Sequence, residues 1–130
     1  MAAPVKGLTA YAHVADVQRS VDFYGRLGLV EVNRHEHEGR LVWAFVASDA
    51  EYPNEAGARL MLAVAGDPVD PTKQAVLFYV WAVDVRALHD ELAGQGIAVG
   101  PITHPFYMPA GEFRVEDPDG YVLLVGQLES

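Results

Sequence analysis

The groups able to do chemistry in this sequence are imidazoles, carboxylates and aromatic hydroxyls, since it contains no cysteine. Thiolate nucleophiles, disulfides and cysteine-ligated zinc are therefore excluded. His35 and His37 lie two apart, with Glu36 and Glu38 interleaved. On a strand they would share one face, a spacing that can bind a metal. No third ligand lies near them in sequence, so a solvated hairpin before Gly39 is the simpler reading. His13 follows Tyr11 by two residues, and its imidazole suits proton transfer or a polar contact at a pocket mouth. His89 falls on the polar side of a predicted helix, and both it and the Ser20 hydroxyl read as helix surface. There is no Gly-x-Ser-x-Gly, no glycine-rich phosphate loop and no His-Glu-x-x-His.

Aromatic residues are placed more tellingly. Tyr79 and Trp81 alternate within an apolar run, so they share a strand face. The stretch His104–Gly111 carries Phe106 and Tyr107 between Pro105 and Pro109. It reads as a lid or rim, or as a loop anchored by Phe106 under a dimer contact.

The elements that must position these groups occur twice. Asp16-Val17 matches Asp84-Val85 at an offset of 68 (84 minus 16), and the same offset sets Gly28 on Gly96 and Leu29 on Ile97 without a gap. A unit of about 60 residues is duplicated. In the first copy Leu8–Val14 reads as a strand and Asp16 as an N-cap. Val17, Val21, Tyr24 and Leu27 form an apolar helical stripe over Val17–Leu27, and Gly28 stops it. In the second copy Ala75–Val83 is the strand and Asp84 the cap. Val85, Leu88 and Leu92 form the stripe over Val85–Ala93, with Gly94 and Gly96 as the stop. Strand-like segments follow at Leu29–Glu36, Arg40–Ala47 and Arg59–Ala65, then at Ile97–Thr103, Glu112–Glu116 and Tyr121–Gln127. Asp117-Pro118-Asp119-Gly120 is a tight turn. The fold class is thus α+β: two tandem βαβββ modules, about 7–66 and 75–128, joined by a linker over 67–74 in a single domain of residues 1–130. Helices on one face of each curved, mixed sheet leave the other face for a cavity.

Two stretches carry a family resemblance: Val14 to Tyr24 with Leu27-Gly28-Leu29, and Phe113 to Tyr121 around Asp-Pro-Asp-Gly. The chain resembles the vicinal oxygen chelate superfamily, which includes glyoxalase I, extradiol dioxygenases, fosfomycin-resistance enzymes and bleomycin-resistance proteins. The resemblance implies metal-ligand positions at Thr9, Met61, Leu77 and Leu124. None is a histidine or carboxylate, which a hard or borderline divalent metal requires. The expectation is a member without metal or cofactor, closest in character to the bleomycin-resistance branch.

Alternation from those positions lines the expected cavity with Tyr11, His13, Arg59, Met61, Tyr79, Trp81 and Leu124, while Glu112 and Arg114 turn towards it when Phe113 and Val115 pack on a helix. Phe106 and Tyr107 add the rim. That aromatic wall with few polar heads suits a small molecule. The segment Phe78-Tyr79-Val80-Trp81 also resembles the aromatic strand of the drug-binding branch. The formal net charge of −9 over 130 residues disfavours nucleic acid and anionic lipid and favours a cationic, flat ligand. No apolar run reaches membrane-spanning length, and Met1–Lys6 lacks the basic and apolar regions of a signal peptide, so a cytoplasmic protein is expected. The resemblance implies a homodimer and, as a role, antibiotic resistance by sequestration. Two alternatives stand beside it. One is a glyoxalase- or dioxygenase-like enzyme, with His13 or Glu112 in metal-free proton transfer or an atypical metal on His13, His35, His37, His104 or Glu112. The other is a protein-interaction module.

Overall fold

The computed structural model describes residues 8–48 and 57–128. It divides into two compact units, Met1–Val69 and Asp70–Ser130.

In the first unit β1 (Ala10–Val14), α1 (Val17–Gly25), β2 (Val30–His37), β3 (Arg40–Ala47) and β4 (Arg59–Val64) follow in order. They form a four-stranded sheet ordered β1-β4-β3-β2, with β1 parallel to β4 and the remaining pairs antiparallel. Helix α1 starts where the Asp16 carboxylate accepts the Arg19 N–H. It ends in a glycine cap: Gly28 takes φ +90°, its N–H reaches the Gly25 carbonyl, and the Leu29 N–H reaches Tyr24. The helix lies against β2, β3 and β4, burying Val17, Phe23 and Tyr24. Alternation decides the strands, with Ala12, Val14, Leu60 and Leu62 buried. Glu38 and Gly39, both at positive φ, close the β2–β3 hairpin in two residues.

The second unit runs η1 (a short 3₁₀ turn, Pro71–Lys73), β5 (Leu77–Ala82), α2 (Val85–Gly94), β6 (Glu112–Glu116) and β7 (Val122–Gln127). Its three-stranded sheet is ordered β5-β7-β6, with β5 parallel to β7 and β6 antiparallel to it. The helix ends repeat those of the first unit. Asp84 accepts from the Ala87 N–H, Gly96 takes φ +82°, and the Gly96 and Ile97 N–H groups reach Ala93 and Leu92. Phe113, Val115, Leu123 and Val125 are buried on the side where α2 meets β6 and β7.

The fold is therefore α+β, with two α-helices and seven strands in two mixed sheets among the described residues. Several local expectations are corrected. Ile97–Thr103 is not a continuous strand. It touches β6 only at the Val99–Val115 and Thr103–Glu112 bridges, and the register slips by one residue between them. Pro101 lies between these bridges and has no N–H to donate. Helix α1 stops at Gly25 rather than Leu27. Leu8 lies outside β1 and is exposed instead of facing the helix. Ser20 is fully buried, not a surface hydroxyl. His89 is four-fifths buried: its ring meets Phe113 edge-on and Nε2 lies 3.0 Å from the Gly100 carbonyl oxygen.

Candidate binding site

Strand β5 builds the more elaborate of two aromatic faces. Its alternation points Phe78 and Val80 one way and leaves Leu77, Tyr79 and Trp81 exposed on the other, Trp81 at 57%. Cross-strand register extends this face in rows: Leu77 beside Val122 and Glu116, Tyr79 beside Leu124 and Arg114, and Trp81 beside Gly126 and Glu112. The Tyr79 and Trp81 rings lie 4.9 Å apart, tilted by 51°.

Glu112 is the polar centre of this face and is only 6% exposed. The Tyr79 hydroxyl donates to one carboxylate oxygen at 2.8 Å, and the Tyr107 hydroxyl donates to the other at 2.9 Å. Both phenols hold their protons more tightly than a free tyrosine. Burial first, then the hydrogen bond to Glu112, pushes the Tyr79 hydroxyl up to about 12. The hydrogen bond to Glu112 is the main cause that raises Tyr107.

The loop before β6 supplies Tyr107. His104 Nδ1 lies 3.0 Å from the Pro109 carbonyl oxygen, and the Met108 N–H bonds the Pro105 carbonyl. Met108 in this loop is buried, whereas Phe106 is 96% exposed, its ring edge-on to Tyr107 with centroids 5.5 Å apart. Arg114 extends into solvent and pairs with Glu116 at 3.1 Å.

The first unit carries the counterpart face. Tyr11 and His13 project from β1 with ring centroids 5.6 Å apart, and Tyr11 holds the place on β1 that Tyr79 holds on β5. The register sets Tyr11 beside Met61 and Phe45, and His13 beside Ala63, Trp43 and His35. Arg59 donates to the Thr9 hydroxyl at 2.8 Å and lies 6.0 Å from the Phe45 ring centre. Sequence reasoning missed Trp43 and Phe45, because β3 is apolar on both faces from Leu41 to Ala47 and offers no alternation to read. His35 and His37 are exposed on β2, and a register shift after His35 interrupts the pairing there.

The residues at the superfamily's metal positions do not fit a metal. Leu77 and Leu124 are hydrocarbon, Met61 offers a thioether, and the Thr9 hydroxyl already accepts from a guanidinium whose charge opposes a cation. Among the described residues no group of three or more His, Asp or Glu side chains is placed to hold an ion.

The family model for the glyoxalase/bleomycin resistance protein/dioxygenase superfamily matches residues 9–125, and the chain belongs to that superfamily. No curated protein matches by sequence. Solved structures do match by shape. The bleomycin resistance determinant encoded on transposon Tn5 superposes with a TM-score of 0.73 at 17% identity, covering 97% of this chain and 100% of that one. A bleomycin-binding protein complexed with bleomycin gives 0.69 at 18%, covering 96% and 100%. TnmS3, an antibiotic binding protein from Streptomyces sp. CB03234, gives 0.71 at 22%, covering 99% and 100%. At these identities the likeness is one of fold. No described helix is long and apolar enough to cross a membrane.

Proposed function

We propose that this chain is a metal-free small-molecule-binding protein that sequesters an aromatic or cationic ligand on the face of β5, in the manner of bleomycin-resistance proteins. One observation carries the reading. Tyr79 and Trp81 stand exposed and adjacent on a strand face whose polar centre is a buried carboxylate. Exposed aromatic rings clustered around few polar groups favour a ligand over solvent. The likeness in fold to proteins that bind bleomycin or another antibiotic supports the same class of ligand, and with it a role in antibiotic resistance. The acidic composition favours cations at long range. The face of β1, with Tyr11 and His13, is a second surface of the same kind.

The protein acts as a cytoplasmic homodimer, each chain one domain of two modules, without cofactor and with neither nucleic acid nor membrane as partner. Sedimentation at micromolar concentration tests the dimer, and a monomer there removes it.

Metal analysis together with a thermal-shift screen of aromatic cations tests the function. The expected result is no stoichiometric zinc, nickel, manganese or iron, and a raised melting temperature with at least one aromatic cation. One equivalent of metal that survives dialysis, with no ligand shifting the melt, would favour the enzyme reading instead.

A further inference from the structure

We propose that the exposed faces of Tyr79 and Trp81, backed by Glu112, form a cation subsite that takes the protonated nitrogen of an aromatic ligand, with Glu112 setting the preference for charge. This rests on the binding face proposed above and narrows its ligand to one chemical class.

Glu112 is 6% exposed, and both its oxygens accept from neutral phenols. Among the described residues no lysine, arginine or histidine pairs with it. Arg114, in the same cross-strand row as Tyr79, is engaged by Glu116. A carboxylate taken out of water without a countercharge is costly, and its field is weakly screened where water is excluded. A cation arriving at this face would supply the missing countercharge.

Tyr79 transmits that charge to the surface. A phenol that donates its proton to a carboxylate gains electron density in its ring, which strengthens the attraction of the ring face for a cation. The Tyr79 hydroxyl stays protonated up to about 12, so it donates throughout the neutral range. The Trp81 ring, 4.9 Å away, is close enough for one cation to lie within about 6 Å of both ring centres, the range of a cation–π contact. Tyr107 holds the second oxygen from the loop side and fixes the carboxylate in place.

The acridine ring system provides the test. 9-Aminoacridine is cationic at neutral pH, whereas acridine, with the same fused rings, is neutral there. The full chain is titrated with each at about 1 M salt, where the screening length is about 3 Å, so that the acidic surface contributes little. The unaltered protein is expected to bind 9-aminoacridine about tenfold more tightly than acridine. Glu112→Gln is expected to lose most of that preference, its affinity falling more for 9-aminoacridine than for acridine. Glu91→Gln removes an exposed charge on α2 and is expected to keep the preference. A preference retained in Glu112→Gln, or an equal loss for both dyes, overturns the proposal while the binding face stands. If neither dye binds, or if Trp81→Ala weakens neither, the binding face itself is wrong and the subsite falls with it. Should Glu112→Gln fail to fold, Tyr79→Phe keeps the ring and removes the link. It is expected to cut the preference by about threefold or more, and an unchanged preference overturns the proposal.

Discussion

Gly126 makes room for Tyr79: a Cβ at position 126 would stand 2.9 Å from the tyrosine Cε1 and closer still to its hydroxyl. The glycine lies on β7 directly beside Trp81, so the lack of a side chain there lets the tyrosine ring lie across the sheet and reach Glu112. Gly126→Ala is expected to displace the ring, break its hydrogen bond and lower stability by about 1–3 kcal/mol while the chain still folds. Urea unfolding measures the loss. A variant with unchanged stability and an unchanged Tyr79 ionisation would show that the ring does not depend on this space.

The Tyr79–Glu112 pair makes stability depend on alkaline pH. Folded, the Tyr79 hydroxyl ionises at about 12; unfolded, a tyrosine does so near 10. Below about 10 both states keep the proton and the contribution of the pair is fully present. Between about 10 and 12 the unfolded chain loses the proton first, so stability falls as pH rises. The urea midpoint is expected to decline over that window less steeply in Tyr79→Phe. Absorbance titration of phenolate is expected to show Tyr79 ionising earlier in Glu112→Gln, though still late, because burial is the larger cause.

The two helix caps predict equal losses. Asp16 and Asp84 each accept an N–H from the first helical turn in the same geometry, 68 residues apart. Asp16→Ala and Asp84→Ala are each expected to cost about 1 kcal/mol, read from thermal or urea unfolding. A loss confined to one of them would break the equivalence of the units.

These caps were legible because each combines an N-cap residue, an apolar stripe and a glycine stop, all local signals. The bounds of β6, Glu112–Glu116, follow from alternation between the loop and a tight turn. The exposed face of β5 follows from alternation too, since Tyr79 and Trp81 differ in parity from Phe78 and Val80. What stayed hidden is set by tertiary contacts. Trp43 and Phe45 sit on a strand without polar contrast, so only its pairing with β4 assigns their face. The Tyr107–Glu112 contact depends on how the loop between Pro105 and Pro109 folds back, which composition does not encode. Ser20 is polar by type yet buried, because it lies on the inward side of α1 with Val17, Phe23 and Tyr24.

A ligand seated on the β5 face at Trp81 is reported directly by the indole N–H signals. The chain has two tryptophans, Trp43 and Trp81, so a nuclear magnetic resonance spectrum shows two such signals, assigned with Trp81→Phe. On titration with 9-aminoacridine the Trp81 signal is expected to move saturably. Trp81→Ala, a change at an exposed side chain, should fold normally and bind about tenfold more weakly, a difference of about 1.4 kcal/mol. A Trp81 signal that stays still throughout the titration, together with a Trp81→Ala variant that unfolds, would contradict the account and make Trp81 part of the protein's own packing.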